Sequence, residues 1–132
     1  MNPFFTAAWE PQIRSVLRIV VGLLFSFHGW QKWFGAFGGM GGNAVPLDSM
    51  LGAAGPIETI GGALILLGLF TRPTAFVLSG QMAVAYFMAH APRGANPLIN
   101  QGELAVLYCF IFLWFSAVGA GPWSIDGVRS KK

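Results

Sequence analysis

Charged residues are scarce in this sequence. Eight Lys and Arg and five Asp and Glu make up only 10% of the 132 residues, whereas soluble domains carry about 25%. This is too little charge to cover a soluble surface. Cysteine is scarcer still: Cys109 is the single one in the sequence, which excludes an intrachain disulfide framework, a Cys-x-x-Cys redox pair and an all-cysteine zinc site. The chain therefore performs no thiol–disulfide chemistry by itself.

Apolar residues are abundant instead. The types AVILMFWYC make up 55% of the sequence, and there are 18 glycines in addition. Four apolar stretches approach the roughly 20 helical residues that cross a hydrocarbon core; they cover about residues 13–34, 50–70, 73–90 and 102–119. We therefore predict an all-α fold, an integral membrane four-helix bundle with up-down topology, as a single membrane domain over residues 1–132.

The basic residues indicate orientation rather than a nucleic-acid partner. The net charge is +3 and the pI is about 9.5, but the Lys and Arg residues stand at segment ends and form no basic face, so no nucleic-acid binding is expected. With four spans, six of them share the side of the termini and two lie opposite, which places both termini in the cytoplasm. The six are Arg14, Arg18, Arg72, Arg129, Lys131 and Lys132; the two are Lys32 and Arg93.

Capping residues predict where the helices begin. Asp48-Ser49 can cap the second helix, and Thr71-Arg72-Pro73 offers a capping hydroxyl and a first-turn proline for the third. Asn100 and Glu103 have the spacing of a capping box for the fourth. The glycine-rich segment 35–42 lacks the Lys-Ser ending of a phosphate-binding loop, so we interpret it as a flexible link.

Four ionisable residues fall in the outer half of the membrane in this topology. At about 1.5 Å per residue, His28 lies roughly 9 Å and Glu58 about 12 Å from the outer helix ends, whereas His90 and Glu103 lie near those ends. Ionisable groups inside a membrane are costly and often mark functional sites. Glu103 has a structural alternative, because it is also the capping-box residue.

Glu58 is expected to point into the bundle. Small residues precede and follow it by one helical turn, including Gly55 and Gly62, so another helix can approach that face closely. We predict that Glu58 lies within direct or water-bridged reach of His28, Lys32 or Tyr86. The alternative is a hydrogen bond that only holds helices together.

The first helix presents a group of polar side chains. His28, Gln31 and Lys32 share one face through spacings of three and four residues. Lys32 has the alternative of extending to the outer interface as a snorkelling side chain. His28 is deeper, and it is a candidate proton donor or acceptor.

On the third helix, Tyr86 and His90 also share a face. Gln81 lies about 180° around the helix from His90 and is assigned to packing, as is Cys109 among aromatic neighbours on the fourth helix. The two histidines, His28 and His90, differ in depth, so haem held by both is not expected. No short Cys and His spacing indicates a metal site.

Several segments together resemble the DoxX family of small bacterial membrane proteins. These are the run from Arg18 through His28-Gly-Trp-Gln-Lys32 to Gly35, the segments Gly55-Pro-Ile-Glu58-Thr-Ile-Gly-Gly62, Gly68-Leu-Phe-Thr-Arg72 and Gly102-Glu103-Leu-Ala, and the ending Gly119-Ala-Gly-Pro-Trp123-Ser-Ile-Asp126. The resemblance covers about residues 14–126. It implies a four-helix bundle in the inner membrane of a bacterium and a place in membrane oxidoreductase assemblies that pass electrons to quinone. His28, Lys32, Glu58 and Glu103 match family motif positions.

Three functions follow as hypotheses. The first is a subunit of a quinone-linked oxidoreductase, with His28, Glu58 and His90 as proton-transferring residues. A noncovalent quinone headgroup pocket would be lined by His28, Lys32, Glu58, Tyr86, His90 and Glu103. The second is a non-catalytic accessory or assembly subunit whose glycine-rich faces dock against partner helices. The third is a small solute or proton pathway. The chain has no flavin, dinucleotide, iron–sulfur or haem-attachment motif, so its expected partners are the lipid bilayer, other oxidoreductase subunits and a possible second copy of itself.

Overall fold

The computed structural model describes residues 7–132, and this part of the chain is helical, with a single isolated β-bridge between Met40 and Asn43. A short 3₁₀ turn, Ala7–Trp9, precedes the first α-helix, and further 3₁₀ turns lie at Ala36–Gly38 and Ala91–Arg93. The helices are α1 (Glu10–Phe34), α2 (Met50–Leu67), α3 (Thr71–Ala85), α4 (Glu103–Val118) and α5 (Ile125–Arg129), and α3 continues into a π-helical turn, Tyr86–His90.

The chain divides into two compact units. The first contains the described residues through Thr71 together with Ala120–Lys132, so it holds α1, α2 and α5. The second, Arg72–Gly119, holds the rest of α3 and α4. Within the described residues, two helices are long and apolar enough to cross a membrane, Ala7–Phe34 and Met50–Leu67, and α4 is a shorter apolar helix.

The beginning of α2 follows the sequence prediction, but its end does not. The Ser49 hydroxyl accepts a hydrogen bond from the Gly52 amide at 3.0 Å and caps the helix. The helix ends at Leu67 and not at residue 70, because Gly68 takes a left-handed conformation with φ of 66° and its amide bonds back to the Ile65 carbonyl. A Cβ at Gly68 would also lie 2.9 Å from the Arg18 guanidinium carbon, so this turn requires glycine.

The beginnings of α3 and α4 differ from prediction. Thr71 is the first residue of α3 rather than its cap. The capping box predicted from Asn100 and Glu103 is wrong, because α4 begins only at Glu103. The Asn100 side-chain oxygen instead accepts a hydrogen bond from the Gly102 amide two residues later, at 2.8 Å. Asn100 therefore shapes the loop before the helix.

The core of the first unit is a seam between α1 and α2. Buried residues recur every three or four positions on both helices, as in closely packed membrane helices. On α1 they include Ser15, Arg18, Gly22, Phe25 and Gly29, and on α2 they include Gly52, Gly55, Glu58, Gly62 and Ile65.

Glycine allows the two backbones to touch along this seam. A Cβ at Gly22 would lie 2.5 Å from the Leu66 amide nitrogen, and a Cβ at Gly29 would lie equally close to the Thr59 nitrogen. From the other side, a Cβ at Gly62 would meet the Ser26 side chain and backbone. Gly22 therefore lies opposite the end of α2 and Gly29 opposite its middle, so the helices run antiparallel.

Adding one methyl group to this seam should separate the helices. We expect Gly62→Ala to lower the free energy of unfolding by about 1–3 kcal/mol, because backbone atoms on both sides must move. The matched control is Gly80→Ala on α3, where a Cβ meets no atom within 4 Å. That change should raise stability by about 0.5–1 kcal/mol, since alanine favours a helix over glycine. Unfolding in mixed detergent micelles, followed by circular dichroism, measures both variants, and equal effects would contradict the close contact.

The second unit has its own α3–α4 contacts. The Ser79 hydroxyl donates a hydrogen bond to the Cys109 carbonyl at 2.7 Å, and the Cys109 sulfur lies 3.6 Å from the same hydroxyl. At the far end, the Arg72 guanidinium donates to the Ala117 carbonyl at 2.6 Å, in the last turn of α4. Cys109 is half-buried, in agreement with its assignment to packing.

Candidate functional site

A buried ion pair links α1 to α2. The Lys32 ammonium lies 2.5 Å from a Glu58 carboxylate oxygen, and the Glu58 side chain is only 2% exposed. Both residues lie on the seam, where a Cβ at Gly55 would be 3.3 Å from the Lys32 Cβ. The prediction that Glu58 faces the interior within reach of Lys32 is confirmed.

Lys32 does not extend to the interface. Its side chain is 12% exposed, so the snorkelling alternative is wrong. A membrane interior makes an isolated charge costly, and the ammonium turns inward because the carboxylate compensates it there. The pair forms because two small-residue faces let the helices approach closely enough for Lys32 to reach Glu58.

His28 lies one helical turn before Lys32, at the edge of an open pocket of about 250 Å³ lined by Phe27, His28, Gln31 and Phe37. The charges of Lys32 and Glu58 both act on its imidazole. The amide of Gln31 donates a hydrogen bond to the Gly39 carbonyl at 3.2 Å, which ties the following loop to α1. The face predicted for His28, Gln31 and Lys32 therefore divides, with two residues at the pocket and the third in the ion pair.

Aromatic rings form the apolar wall of this pocket. The Phe37 ring meets the Phe27 ring edge-on at 5.3 Å between centroids, and it stacks on Trp30 at 6.5 Å. Phe37 has a φ of 55°, a left-handed conformation that is uncommon for a residue with a side chain. Such strain persists only where surrounding contacts hold it, and it is concentrated at functional sites.

Tyr86 and His90 lie in the second unit, on the π-helical turn, with ring centroids 6.3 Å apart. Asn100 completes this group: it is fully buried, and its side-chain nitrogen lies 3.2 Å from the Tyr86 hydroxyl and 2.8 Å from the Gly94 carbonyl. Single π-helical turns within helices are frequent at functional sites. The sequence predicted the shared face of Tyr86 and His90 but assigned Asn100 only to a cap.

The Asn100 carbonyl fixes the proton of the neutral His90 ring. The Nδ1 atom of His90 lies 3.1 Å from that carbonyl oxygen, and a carbonyl oxygen can only accept. Nδ1 therefore carries the hydrogen, which leaves Nε2 as the proton acceptor. A histidine held in this way is prepared to act as a base.

Glu103 also belongs to the second unit, but it lines a pocket that Tyr86 and His90 do not line. Its exposed side chain lines an open pocket of about 340 Å³ at the start of α4, together with Gln101 and Leu107. Gln101 has a φ of 59°, so the loop before α4 makes a tight turn there.

Arg18 is a central residue that sequence reasoning missed. Its side chain is fully buried. The guanidinium donates to the Ile65 and Leu66 carbonyls in the last turn of α2, at 2.6 and 2.5 Å. It also donates to the Ala120 and Trp123 carbonyls, at 2.8 and 2.5 Å. Arg18 therefore joins α1, the negative end of α2 and the segment before α5.

Asp126 provides a second connection at this end of the first unit. Its two carboxylate oxygens accept hydrogen bonds from the Phe70 amide at 3.0 Å, just before α3, and from the Thr71 amide at 2.8 Å, the first amide of that helix. Partial burial opposes ionisation of Asp126, but the hydrogen bonds from Thr71 and Phe70 and the charge of Arg129 outweigh it, so its pKa lies below the ordinary value. The cap that the sequence assigned to the Thr71 hydroxyl is supplied by Asp126.

This lowered pKa predicts a pH dependence. The carboxylate stabilises the fold fully above the pKa of an unfolded Asp, about 3.9, and that contribution is lost as the pH falls through the lower folded pKa. Subtracting the unfolding free energy of Asp126→Asn from that of the native chain, between pH 2 and 7, should give a difference that falls toward the acid end. Asp48→Asn, which removes an exposed loop carboxylate, is the control and should give a smaller slope.

Comparisons with known proteins agree with the family resemblance of the sequence. The DoxX family model matches residues 13–91. An uncharacterized protein of Haemophilus influenzae is 44% identical over 128 residues, which cover 94% of this chain and 96% of the relative. An uncharacterized membrane protein of Mycobacterium tuberculosis is 32% identical over a 143-residue alignment that covers 88% of this chain and 80% of that protein. No solved structure matches the chain.

Proposed function

The chain belongs to the DoxX family of membrane proteins, and we propose that it is a small subunit of a quinone-linked oxidoreductase system. The observation that carries this proposal is the pocket at His28 beside the buried Lys32–Glu58 pair. It places a titratable imidazole and a charge pair at an apolar, aromatic surface. The electrons would come from a partner subunit, because the sequence contains no electron-carrier motif.

We also propose that the chain forms an up-down four-helix bundle in the bacterial inner membrane with both termini cytoplasmic. The distribution of basic residues supports this proposal. Arg18 and Lys32 are the two most buried of them, and when these two are left out, five basic residues share the side of the termini and only Arg93 lies opposite. In a Cys109→Ala background, a cysteine at position 41 should react with an impermeant reagent added to intact cells, and one at position 130 should not. The reverse pattern would invert the topology.

The residues at the pocket fit a quinone headgroup. Phe27 and Phe37 offer ring faces and edges to a flat ring, and the Gln31 amide and the His28 imidazole offer hydrogen-bond donors to ring carbonyls. A quinone, when bound, supplies the capacity to take up two electrons and two protons. The isoprenoid tail of such a molecule would remain in the surrounding lipid.

The chain itself would supply hydrogen-bond donors to the quinone and would transfer its protons. His28 lies at the pocket, and an imidazole can both donate and accept a proton, so it can exchange a proton with a bound carbonyl oxygen. Lys32 and Glu58 lie behind it and hold one positive and one negative charge whose fields act on the imidazole. In the second unit, the Nε2 atom of His90 is a proton acceptor beside Tyr86, and we propose that this group, with Glu103 near the start of α4, serves proton exchange at the outer surface.

Tryptophan fluorescence tests the headgroup site directly. Quinones quench indole fluorescence at short range, and Trp30 stacks against Phe37 at the pocket wall. We expect ubiquinone-1, added to the purified chain in lipid nanodiscs, to quench saturably. Trp30→Phe should remove most of the quenching, and His28→Ala should weaken binding by about tenfold, as expected for the loss of one hydrogen bond to the ligand.

The matched control is Val84→Ala on the exposed surface of α3, which should bind ubiquinone-1 like the native chain. Quenching that grows linearly with quinone and is equal in all variants would reflect quinone dissolved in the lipid and would contradict the site. Menaquinone-1 in a parallel titration distinguishes the quinone class.

The accessory-subunit hypothesis loses its main sequence argument. Gly22, Gly29, Gly55 and Gly62 were available in the sequence for docking against partner helices, but they lie in the α1–α2 seam. Gly80 on α3 is exposed and has space around it, so α3 keeps one position at which a partner helix could approach. A stoichiometric partner that copurifies without any bound quinone would favour this second function.

A further inference from the structure

We propose that the first unit binds an anionic phospholipid in a groove between the end of α2 and α5. The groove is open, has a volume of about 510 Å³, and is lined mainly by apolar side chains, including Leu67, Pro122, Ile125 and Val128. This site is separate from the His28 pocket. It requires only that the chain is a membrane protein, so it does not depend on the quinone proposal.

The apolar part of the groove fits an acyl chain. Leu67 is the last residue of α2 and is 52% exposed, and Val128 on α5 is 60% exposed. Exposed apolar side chains around a concave surface favour a hydrocarbon ligand. Trp123, 57% exposed at the same groove, is the residue type that prefers the boundary between hydrocarbon and headgroups. The groove therefore lies at the depth where a lipid changes from chain to headgroup.

The polar edge of the groove is positively charged. Arg129 lines it, with its guanidinium carbon 5.4 Å from the centroid of the Phe70 ring, and the exposed Lys131 and Lys132 follow directly. The nearby carboxylate of Asp126 accepts from the Phe70 and Thr71 amides and interacts with Arg129, so it offsets one of these three positive charges and the edge stays net positive. A net positive edge beside an apolar groove matches an anionic phospholipid, whose phosphate carries negative charge and whose acyl chains are apolar.

The groove is held in a fixed shape by buried contacts. Arg18 binds the Trp123 carbonyl on one side, the Ser124 hydroxyl caps α5 by accepting from the Gly127 amide at 2.9 Å, and the Asp126 amide donates to the Gly68 carbonyl at 2.9 Å. Because these bonds fix α5 against the end of α2, the groove is preformed, which lowers the cost of ordering on binding.

Native mass spectrometry of the purified chain tests this site by counting bound lipids. Titration with dioleoylphosphatidylglycerol and dioleoylphosphatidylcholine should show at least about tenfold preference for the anionic lipid. Arg129→Gln should lower the affinity for phosphatidylglycerol about fivefold, and adding Lys131→Gln and Lys132→Gln should lower it further. Arg93→Gln, an exposed cation in the other unit, is the matched control and should leave the affinity unchanged.

A second pair of variants tests the acyl groove. Val128→Trp fills it and should weaken both lipids several-fold, whereas Val77→Trp, at an equally exposed position on α3, should not. Equal binding of the two lipids, an effect of Arg93→Gln as large as that of Arg129→Gln, or unchanged binding in Val128→Trp would each overturn the proposal. A dimer of this chain that is lost in Val128→Trp would also overturn it, because it would assign the groove to a second copy.

Discussion

Arg18→Met is expected to be among the most destabilising single substitutions in this protein, with a loss of about 3–5 kcal/mol in the free energy of unfolding. Methionine keeps most of the length of the side chain but donates no hydrogen bond. Four carbonyl oxygens, those of Ile65, Leu66, Ala120 and Trp123, would lose a charged donor. Each hydrogen bond to a charged group contributes about 1.5–3 kcal/mol, and part of the sum is offset because methionine avoids burying a charge.

Arg14→Met is the matched control for this prediction. Arg14 lies one turn earlier on the same helix and forms an ion pair with Glu10 at 3.1 Å, in which the Arg14 and Glu10 side chains are 19% and 49% exposed. A partly exposed pair between residues four apart on one helix contributes less than about 1 kcal/mol. Unfolding in mixed micelles gives both values. Arg18→Lys should recover little of the lost stability, because a single ammonium group cannot donate to four carbonyls as the planar guanidinium does.

Arg18→Met should also have a local effect on the segment that follows α4. Limited proteolysis should cut at 120–132 much faster in this variant, because Arg18 holds two carbonyls of that segment. Faster cutting together with wild-type stability would confine Arg18 to anchoring the segment, and unchanged values for both would contradict its central role.

The sequence predicted the inward position of Glu58 but not the role of Arg18, and the difference has a physical cause. Glu58 is flanked by glycines on its own helix, and a local small-residue pattern indicates which face is approached. The partners of Arg18 are backbone carbonyls 47 to 105 residues away in sequence, and any residue type supplies a carbonyl. Their convergence depends on the turn at Gly68 and on the course of the chain after Ala120.

The same limit applies to Asn100 and α5. Asparagine is a common helix cap, so the sequence assigned Asn100 to the start of α4. In the structure, Gln101 makes a tight turn with φ of 59°, and the Asn100 side chain bonds to the Tyr86 hydroxyl instead. The segment 125–129 is too short to show an apolar period, yet Asp126 within it caps α3. Three parts of the chain on which the family resemblance rests, at Arg18, at 68–71 and at 120–126, thus meet at one end of the first unit, where they stabilise the fold.

The Lys32–Glu58 pair gives the second large effect. Glu58→Ala should lower the free energy of unfolding by about 3–5 kcal/mol, because it leaves the Lys32 ammonium buried without this carboxylate. Glu58→Gln should be destabilising for the same reason, although it keeps the shape. The double variant Lys32→Met with Glu58→Gln removes both charges and should recover most of the loss, which a double-mutant cycle measures as a coupling of at least about 1 kcal/mol. Additive losses would show that the two charges do not depend on each other.

The recovered double variant then separates stability from function, since it folds and inserts but holds no charge pair behind His28. If the pair takes part in proton delivery, the complex isolated with this double variant should assemble normally and bind ubiquinone-1 with near-native affinity. It should reduce ubiquinone-1 at least about tenfold more slowly, because proton delivery by a positioned group contributes about 10²–10⁴-fold to a rate. His28→Ala should lose both affinity and rate, because His28 lies at the pocket itself. Native rates in the double variant would assign Lys32 and Glu58 to holding α1 against α2, and native rates in both variants would leave the chain as an accessory subunit.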